Sequence, residues 1–172
     1  MEESKLIKLA KMGDAEAFEQ LLVACSNQLY RTAFIYMQNR EDALDVVQET
    51  SYKAFKAISQ LKENAYFTTW LTRILINTAN EYLRVKQKDS PIEEMDIPFV
   101  EQDRIEQLDL MHAIHELPAK YRDVIILFYF HDITIKDIST SFHMPEGTVK
   151  TYLRRGREQL RMILQGGQVY EG

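Results

Sequence analysis

The sequence predicts an all-α protein: two small helical domains joined by an acidic flexible linker, the second domain containing a helix-turn-helix. Three observations predict it. Only six glycines and four prolines interrupt 172 residues. Apolar residues recur at three- and four-residue steps almost throughout. Alternating, strand-like stretches are scarce.

The elements follow in order. Asp14 is placed to cap a helix that carries Phe18, Leu21, Leu22, Cys25 and Leu29 on one face. Asn39, with Asp42 three residues on, is placed to cap a second helix whose inward stripe reads Leu44, Val47, Ser51, Ala54 and Ile58. A third long helix, from Phe67 to Lys88, has the expected buried stripe Phe67, Trp70, Leu71, Ile74, Thr78, Tyr82 and Val85. Residues 1–88 therefore form the expected first domain. Residues 89–107 hold Pro91 and Pro98 and little periodicity, which predicts a linker extended at least in part. Helical pattern resumes near Ile105. Leu117-Pro118 marks a new helix start, because proline at the first helical position loses no needed hydrogen bond. The stretch VIILFYF has strand-like composition, but its helical surroundings favour helix. Residues 108–166 form the expected second domain, and 167–172 a tail.

Within the second domain, Thr134 with Asp137 three residues later predicts a capped short helix bearing Ile135, Ile138 and Phe142. His143-Met144-Pro145 breaks it. A longer helix follows, with Val149, Leu153, Leu160 and Ile163 facing inward. Two helices joined by so short a break make a helix-turn-helix, in which the second helix enters the DNA major groove. From Pro145 to Arg161 that helix carries five basic and two acidic residues. Glu146, Thr148, Lys150, Thr151, Tyr152, Arg154 and Arg155 are its candidate base-edge residues, Glu146 as acceptor for a cytosine amino group. Arg157 and Arg161 suit phosphates. A solvated basic helix end complementing the macrodipole is the bland alternative.

Composition narrows the class. The chain is 45% hydrophobic and 27% charged, as a soluble globular protein is. A single cysteine, Cys25, permits no intramolecular disulfide and predicts a reducing compartment. The N-terminal residues lack the basic and apolar regions of a secretory signal, and the longest apolar run, Val124 to Phe130, is too short to span a membrane. A cytoplasmic protein that is not itself a membrane protein is expected. The formal charge is −5, yet Asp89 to Asp109 alone carries −7, leaving the rest at +2. Overall acidity is therefore no argument against nucleic acid. No phosphate-cradling glycine loop or metal-ligand cluster appears, and His112 and His115 lack a third ligand nearby. Neither catalysis nor a cofactor or metal is expected.

Two further surfaces stand out in the first domain. Thr69, Arg73, Asn77, Asn80 and Arg84 share one face of the third helix, extended by Lys86 and Lys88. Asparagine is a mediocre helix former, so two beside two arginines suit a reading surface, although a solvated face explains them too. The preceding SQLKENAY is a candidate pocket for an unstacked base. Asp42, Asp45 and Glu49 form an acidic ridge, with Gln48 and Tyr52 beside it and Lys53 able to pair with Glu49. A basic protein partner and plain solvation account for that ridge equally.

Five pieces in order, GDAEAFEQL, EDALDVVQETSYKAF, FTTWLTRILINTANEYLR, ELPAKYRDVIILFYFHDITIKDIS and GTVKTYLRRGREQLR, together resemble the extracytoplasmic-function sigma factors of bacterial RNA polymerase. The resemblance runs from about Lys11 to Ile163. It implies a promoter-specificity factor with two helical domains, resembling sigma regions 2 and 4. It implies that core RNA polymerase is bound through Asp42, Asp45, Val46, Gln48, Glu49 and Tyr52. The −10 element of promoter DNA would be read by Thr69, Arg73, Asn77, Asn80 and Arg84. The −35 duplex would be read by Glu146, Thr148, Lys150, Thr151, Tyr152, Arg154, Arg155 and Arg157. It further implies a linker threading the positively charged polymerase interior and an anti-sigma factor, often membrane-tethered; no homo-oligomer is required. The chain departs from the family pattern at Asp137-Ile138-Ser139, where Glu-Ile-Ala is usual, at His143, where a glycine often ends the helix, and at Gly156, which replaces a common alanine. The alternatives are a stand-alone helix-turn-helix regulator binding an operator as a dimer, and a protein-interaction module.

Overall fold

A computed structural model of the chain describes residues 2–89 and 102–166, with side chains placed over 2–86 and 109–165. Within these residues every regular element is helical. The chain divides into two compact units, Met1–Pro91 and Ile92–Gly172. The expected linker lies largely outside the described residues, as do the tail and the side chain of Lys88.

The first unit holds α1 (Glu2–Lys11), α2 (Ala15–Met37), α3 (Arg40–Ala57) and α4 (Phe67–Asp89). Helix α1 was not foreseen; it buries only Ile7 and Ala10 in a short, charged stretch. Gly13 makes the turn into α2 at φ +96°, a conformation costly for any residue with a Cβ. The Asp14 carboxylate then accepts from the Ala17 N–H at 3.0 Å, capping α2 as expected. Helix α2 ends at Gln38, left-handed at φ 62°, whose N–H returns to the Phe34 carbonyl at 2.8 Å. Asn39 at once caps α3: its side-chain oxygen accepts from the Asp42 N–H at 2.8 Å, while its amide donates to the Asp42 carboxylate at 2.8 Å. Two residues thus reverse the chain, and α3 packs back against α2 and α4.

The inward register of α3 differs from the sequence expectation by one position over its first three turns and rejoins it at Ala54 and Ile58, which are buried as expected. Ala43, Val46, Thr50 and Ala54 are the buried residues. Leu44 stays exposed, while Val47 and Ser51 are only half-buried. Two stripes of equal spacing were available over those turns, and the buried one opens on Ala43 where the other has the bulkier Leu44. On α4 the core is Phe67, Leu71, Thr72, Leu75, Ile76, Thr78 and Ala79. Val85, expected in that stripe, is exposed; Trp70, Ile74 and Tyr82 are half-buried at its edge. Between α3 and α4 the segment makes two single 3-10 turns, Ile58–Gln60 and Asn64–Tyr66. Leu61 anchors it in the core, Lys11 donates to the Asn64 side chain at 3.0 Å, and Tyr66 is left exposed.

The second unit holds α5 (Gln102–Glu116), α6 (Ala119–Ile125), α7 (Ile135–Ser141) and α8 (Glu146–Gly166). Helix α5 begins inside the span read as linker, so residues 102–107 are helical. A helix starts at Leu117-Pro118 as expected, with Pro118 as the N-cap of α6 rather than its first helical residue, and VIILFYF is helical, closing with a π turn over Ile126–Phe130. In that wider turn the His131 N–H reaches back to the Ile126 carbonyl at 3.3 Å. Helix α8 packs on α5, α6 and α7 through Val149 and Leu153. Gly156 allows its contact with α6. A Cβ there would lie 2.9 Å from Ile125 Cγ1 and 3.4 Å from Tyr121 Cβ, so an alanine does not fit without displacement.

Candidate functional site

The exposed side of α3 is both acidic and apolar. Asp45, Gln48, Glu49 and Tyr52 lie on it and, with Tyr82 of α4, line an open recess of about 280 Å³. Leu44 is 47% exposed, Tyr52 56% and Phe55 39%, and Glu41 lies on the same side. Large apolar side chains standing out among carboxylates suit a protein partner better than plain solvation. Burial raises the pKa of the Tyr82 hydroxyl above its ordinary value, and Asp45, Glu49 and Asp42 add to that rise. The recess is therefore electronegative.

Two residues expected on this surface do not belong to it in the same way. Val46 has no exposed surface and is core. Asp42 is turned into the seam between α3 and α4, where Asn39 and the Lys86 ammonium hold its carboxylate. Burial pushes the Asp42 pKa up, but those two partners outweigh it and leave it below its ordinary value. Lys53 reaches Glu81 at 3.3 Å and Thr78 Oγ1 at 3.4 Å on α4 rather than Glu49. Leu44 and Phe55 were missed. Their signal was available: with Gln48 and Tyr52 they step along α3 at three- and four-residue intervals through the acidic ridge.

On α4 the five expected DNA-reading residues fall together. At 100° per residue Thr69, Arg73, Asn77, Asn80 and Arg84 span an arc of roughly 80°, opposite the core side of the helix. Asn77 and Arg84 are exposed, and Thr69, Arg73 and Asn80 half-buried. No carboxylate lies inside that arc; Glu81 stands beside it and pairs with Lys53. Trp70 is half-buried, its ring 6.0 Å from that of Phe67 at the start of the helix.

The helix-turn-helix is closed tightly. Thr134 Oγ1 accepts from the Asp137 N–H at 3.1 Å and caps α7. His143 takes the left-handed conformation, φ 52°, that a glycine would supply more cheaply. Ser139 closes the turn twice: its carbonyl accepts from the Met144 N–H at 3.1 Å, and its hydroxyl donates to the Met144 carbonyl at 2.5 Å. The hydroxyl that distinguishes this chain from the usual alanine thus fixes the entry of α8.

On α8, Glu146, Lys150, Arg154, Arg155 and Arg157 are exposed, and Thr148 and Thr151 half-buried at the margin. Thr151 Oγ1 donates to the Gly147 carbonyl at 2.9 Å, and Arg154 pairs with Glu158 at 3.5 Å. Two of the residues expected at the −35 duplex make contacts within the unit. Tyr152 turns toward α6, its ring edge-on to that of Tyr121 at 5.5 Å. Arg157 donates to the Tyr129 hydroxyl at 2.9 Å. Among the described residues no group of three or more His, Cys, Asp and Glu is placed to hold a metal ion, and no helix is long and apolar enough to cross a membrane.

Sequence models of two sigma-70 regions match the chain, region 2 over residues 21–89 and region 4 over residues 107–160. RNA polymerase sigma factor SigV of Bacillus subtilis is 32% identical over 160 residues, covering 89% of this chain and 96% of the relative. ECF RNA polymerase sigma factor SigW of the same organism is 31% identical over 180 residues, covering 94% and 96%. Two solved structures share the fold at TM-score 0.74. One is CnrH in complex with the cytosolic domain of CnrY, 22% identical over 96% of this chain and 99% of that one. The other is the sigma factor RpoE of Bartonella quintana with the anti-sigma factor NepR, 24% identical over 88% and 98%.

Proposed function

The chain belongs to the sigma-70 family of RNA polymerase sigma factors, in its ECF group, and from that membership we propose that it binds core RNA polymerase and directs initiation at promoters read through −10 and −35 elements. It works by binding and positioning, with no catalytic step of its own, and its place is the bacterial cytoplasm with the polymerase.

Residues 1–88 serve the polymerase and the −10 element, and residues 108–166 serve the −35 element. Residues 89–107 join them, although their last six are helical. Asp45, Gln48, Glu49 and Tyr52, together with Leu44 and Phe55, meet a basic surface of the polymerase. Apolar side chains supply desolvated contact area, and the carboxylates supply register and selection against wrong partners. Asp42 and Val46 shape α3 for that contact from within. Arg73, Asn77, Asn80 and Arg84, with Thr69, hold the melted −10 strand: asparagine side chains can pair with base edges, and arginines with phosphates. Lys150, Thr151, Arg154 and Arg155, flanked by Glu146 and Thr148, read the −35 duplex.

The observation that carries this reading is the coexistence of three distinct surfaces: an acidic-apolar α3 face, a carboxylate-free Arg/Asn arc on α4, and a basic helix docked behind a closed turn. A stand-alone operator binder needs only the last. That RpoE was solved with an anti-sigma factor supports a regulator that covers some of these surfaces here too. The test is co-elution with purified core polymerase: a stable one-to-one complex is expected, and none at micromolar concentrations refutes the proposal.

A further inference from the structure

We propose that Lys11 of α1 is a positioning residue for reading of the −10 strand: it holds the Asn64 amide in one orientation, donors outward, and so sets which base edges the segment between α3 and α4 accepts. The inference rests on the −10 reading of α4 and extends it to a helix that carries none of the residues assigned to DNA.

Ile58 and Leu61 bury the start of the segment. Its two 3-10 turns are closed from the Leu61 N–H to the Ile58 carbonyl at 3.0 Å and from the Tyr66 N–H to the Glu63 carbonyl at 3.1 Å. Lys62, Glu63, Ala65 and Tyr66 are exposed. Tyr66 lies three residues ahead of Thr69, where the Arg/Asn arc begins. Helix α1 packs against both turns. Its last residue, Lys11, donates to the Asn64 side-chain oxygen at 3.0 Å, across 53 positions of sequence. Both residues are half-buried.

That bond fixes more than a distance. A lysine ammonium has three donors and no acceptor, so the amide oxygen faces it and the amide nitrogen faces away. A charged donor also makes the bond stronger than a neutral one would. Among the described residues the Asn64 amide nitrogen makes no hydrogen bond, and it is not sealed from solvent. Its two N–H groups are therefore open to a ligand. A free asparagine offers a donor and an acceptor together, as in its bidentate pairing with adenine. Held by Lys11, Asn64 can only donate. It suits a base edge that presents a carbonyl or a ring nitrogen and opposes one that presents an amino group. An unstacked base exposes such an edge, and the Tyr66 ring two residues on offers a face for stacking.

The test uses holoenzyme assembled from the full chain and core polymerase, selecting promoters from a library randomised across the −10 element and the bases beside it. With the wild-type chain, one position should disfavour bases that present an amino group. Lys11→Met removes the donor at similar length, so the amide can turn, and the preference at that one position should broaden about fivefold. Lys11→Arg should keep the preference. Asn64→Asp keeps a partner for Lys11 but offers only acceptors, and should reverse the preference at the same position toward amino-bearing bases. Unchanged base preference in Lys11→Met and Asn64→Asp overturns the proposal. A lowered unfolding midpoint would then make the contact a purely structural brace, and a salt slope lowered by about 0.7 would make Lys11 a phosphate contact. Broadening spread over the whole element overturns it in favour of a general loosening of α4. Failure of the wild-type chain to assemble with core polymerase, or to select any −10 element, refutes the underlying reading instead.

Discussion

The Ser139 hydroxyl donates to the Met144 carbonyl at 2.5 Å, across the turn that separates the two helices of the helix-turn-helix. Ser139→Ala keeps the backbone bond from Met144 but removes this one. The expected cost is about 1 kcal/mol for a half-buried hydrogen bond. Initiation at promoters that depend on a −35 element should fall severalfold, while affinity for core polymerase stays unchanged. Denaturant titration and a pair of promoters with and without that element would check it; an effect equal on both removes Ser139 from any role in aiming α8.

Gly156 predicts a loss where helix propensity alone predicts a gain. Alanine is favoured over glycine by about 1 kcal/mol in a helix interior. Its Cβ would meet Ile125 Cγ1 at 2.9 Å in a fully packed seam, and overpacking typically costs 1–3 kcal/mol. Gly156→Ala should therefore destabilise the second unit by about 1 kcal/mol, and Ile125→Val should reduce that penalty. A stabilised Gly156→Ala protein in thermal unfolding would show that the seam yields freely.

His131 is buried at the end of the π turn, and burial lowers its pKa to about 4, with Asp132 opposing. The unfolded histidine, near 6.5, takes up its proton first as pH falls. Stability from the neutral ring is thus complete above about pH 6.5 and drains away between there and pH 4, by up to about 3 kcal/mol. Denaturant midpoints of the full chain across that window should slope downward, and His131→Gln should flatten the slope.

Leu44, expected inward from its spacing, is exposed, and Val46, placed on the surface by the resemblance, is buried, which gives the α3 surface a paired test. Leu44→Ala should leave stability within about 0.5 kcal/mol yet weaken polymerase binding. Val46→Ala should cost about 1–3 kcal/mol through a cavity and leave the binding surface in place. Asp45→Lys with Glu49→Lys should reduce polymerase affinity at least about 100-fold, because like charges would face each other, with helix content unchanged in circular dichroism. Binding that survives the double reversal removes this face from the interface.

The helix class was legible because caps and breaks are local chemistry. Asp14, Asn39 and Thr134 cap where their residue types say they should, and Pro118 opens α6. The register of the first turns of α3 was not, since Ala43, Val46 and Thr50 fit the same period as Leu44, Val47 and Ser51, and only packing against α2 and α4 selects between them. The partner of Asp42 lies 44 residues away at Lys86, beyond the reach of any spacing rule. Helix α1 was missed because two buried residues in ten make too weak a pattern. Tyr152 has a residue type that suits a base, but its neighbour Tyr121 decides where it points.

Start-site mapping on a randomised promoter library, with core polymerase and this chain as the only added factor, tests the central claim most directly. The account predicts new start sites preceded by two shared sequence elements near −35 and −10, with Arg154→Ala and Arg155→Ala together weakening only the upstream one. Tight binding of the chain alone to a symmetric duplex, with no start site that core polymerase does not already make, would contradict it.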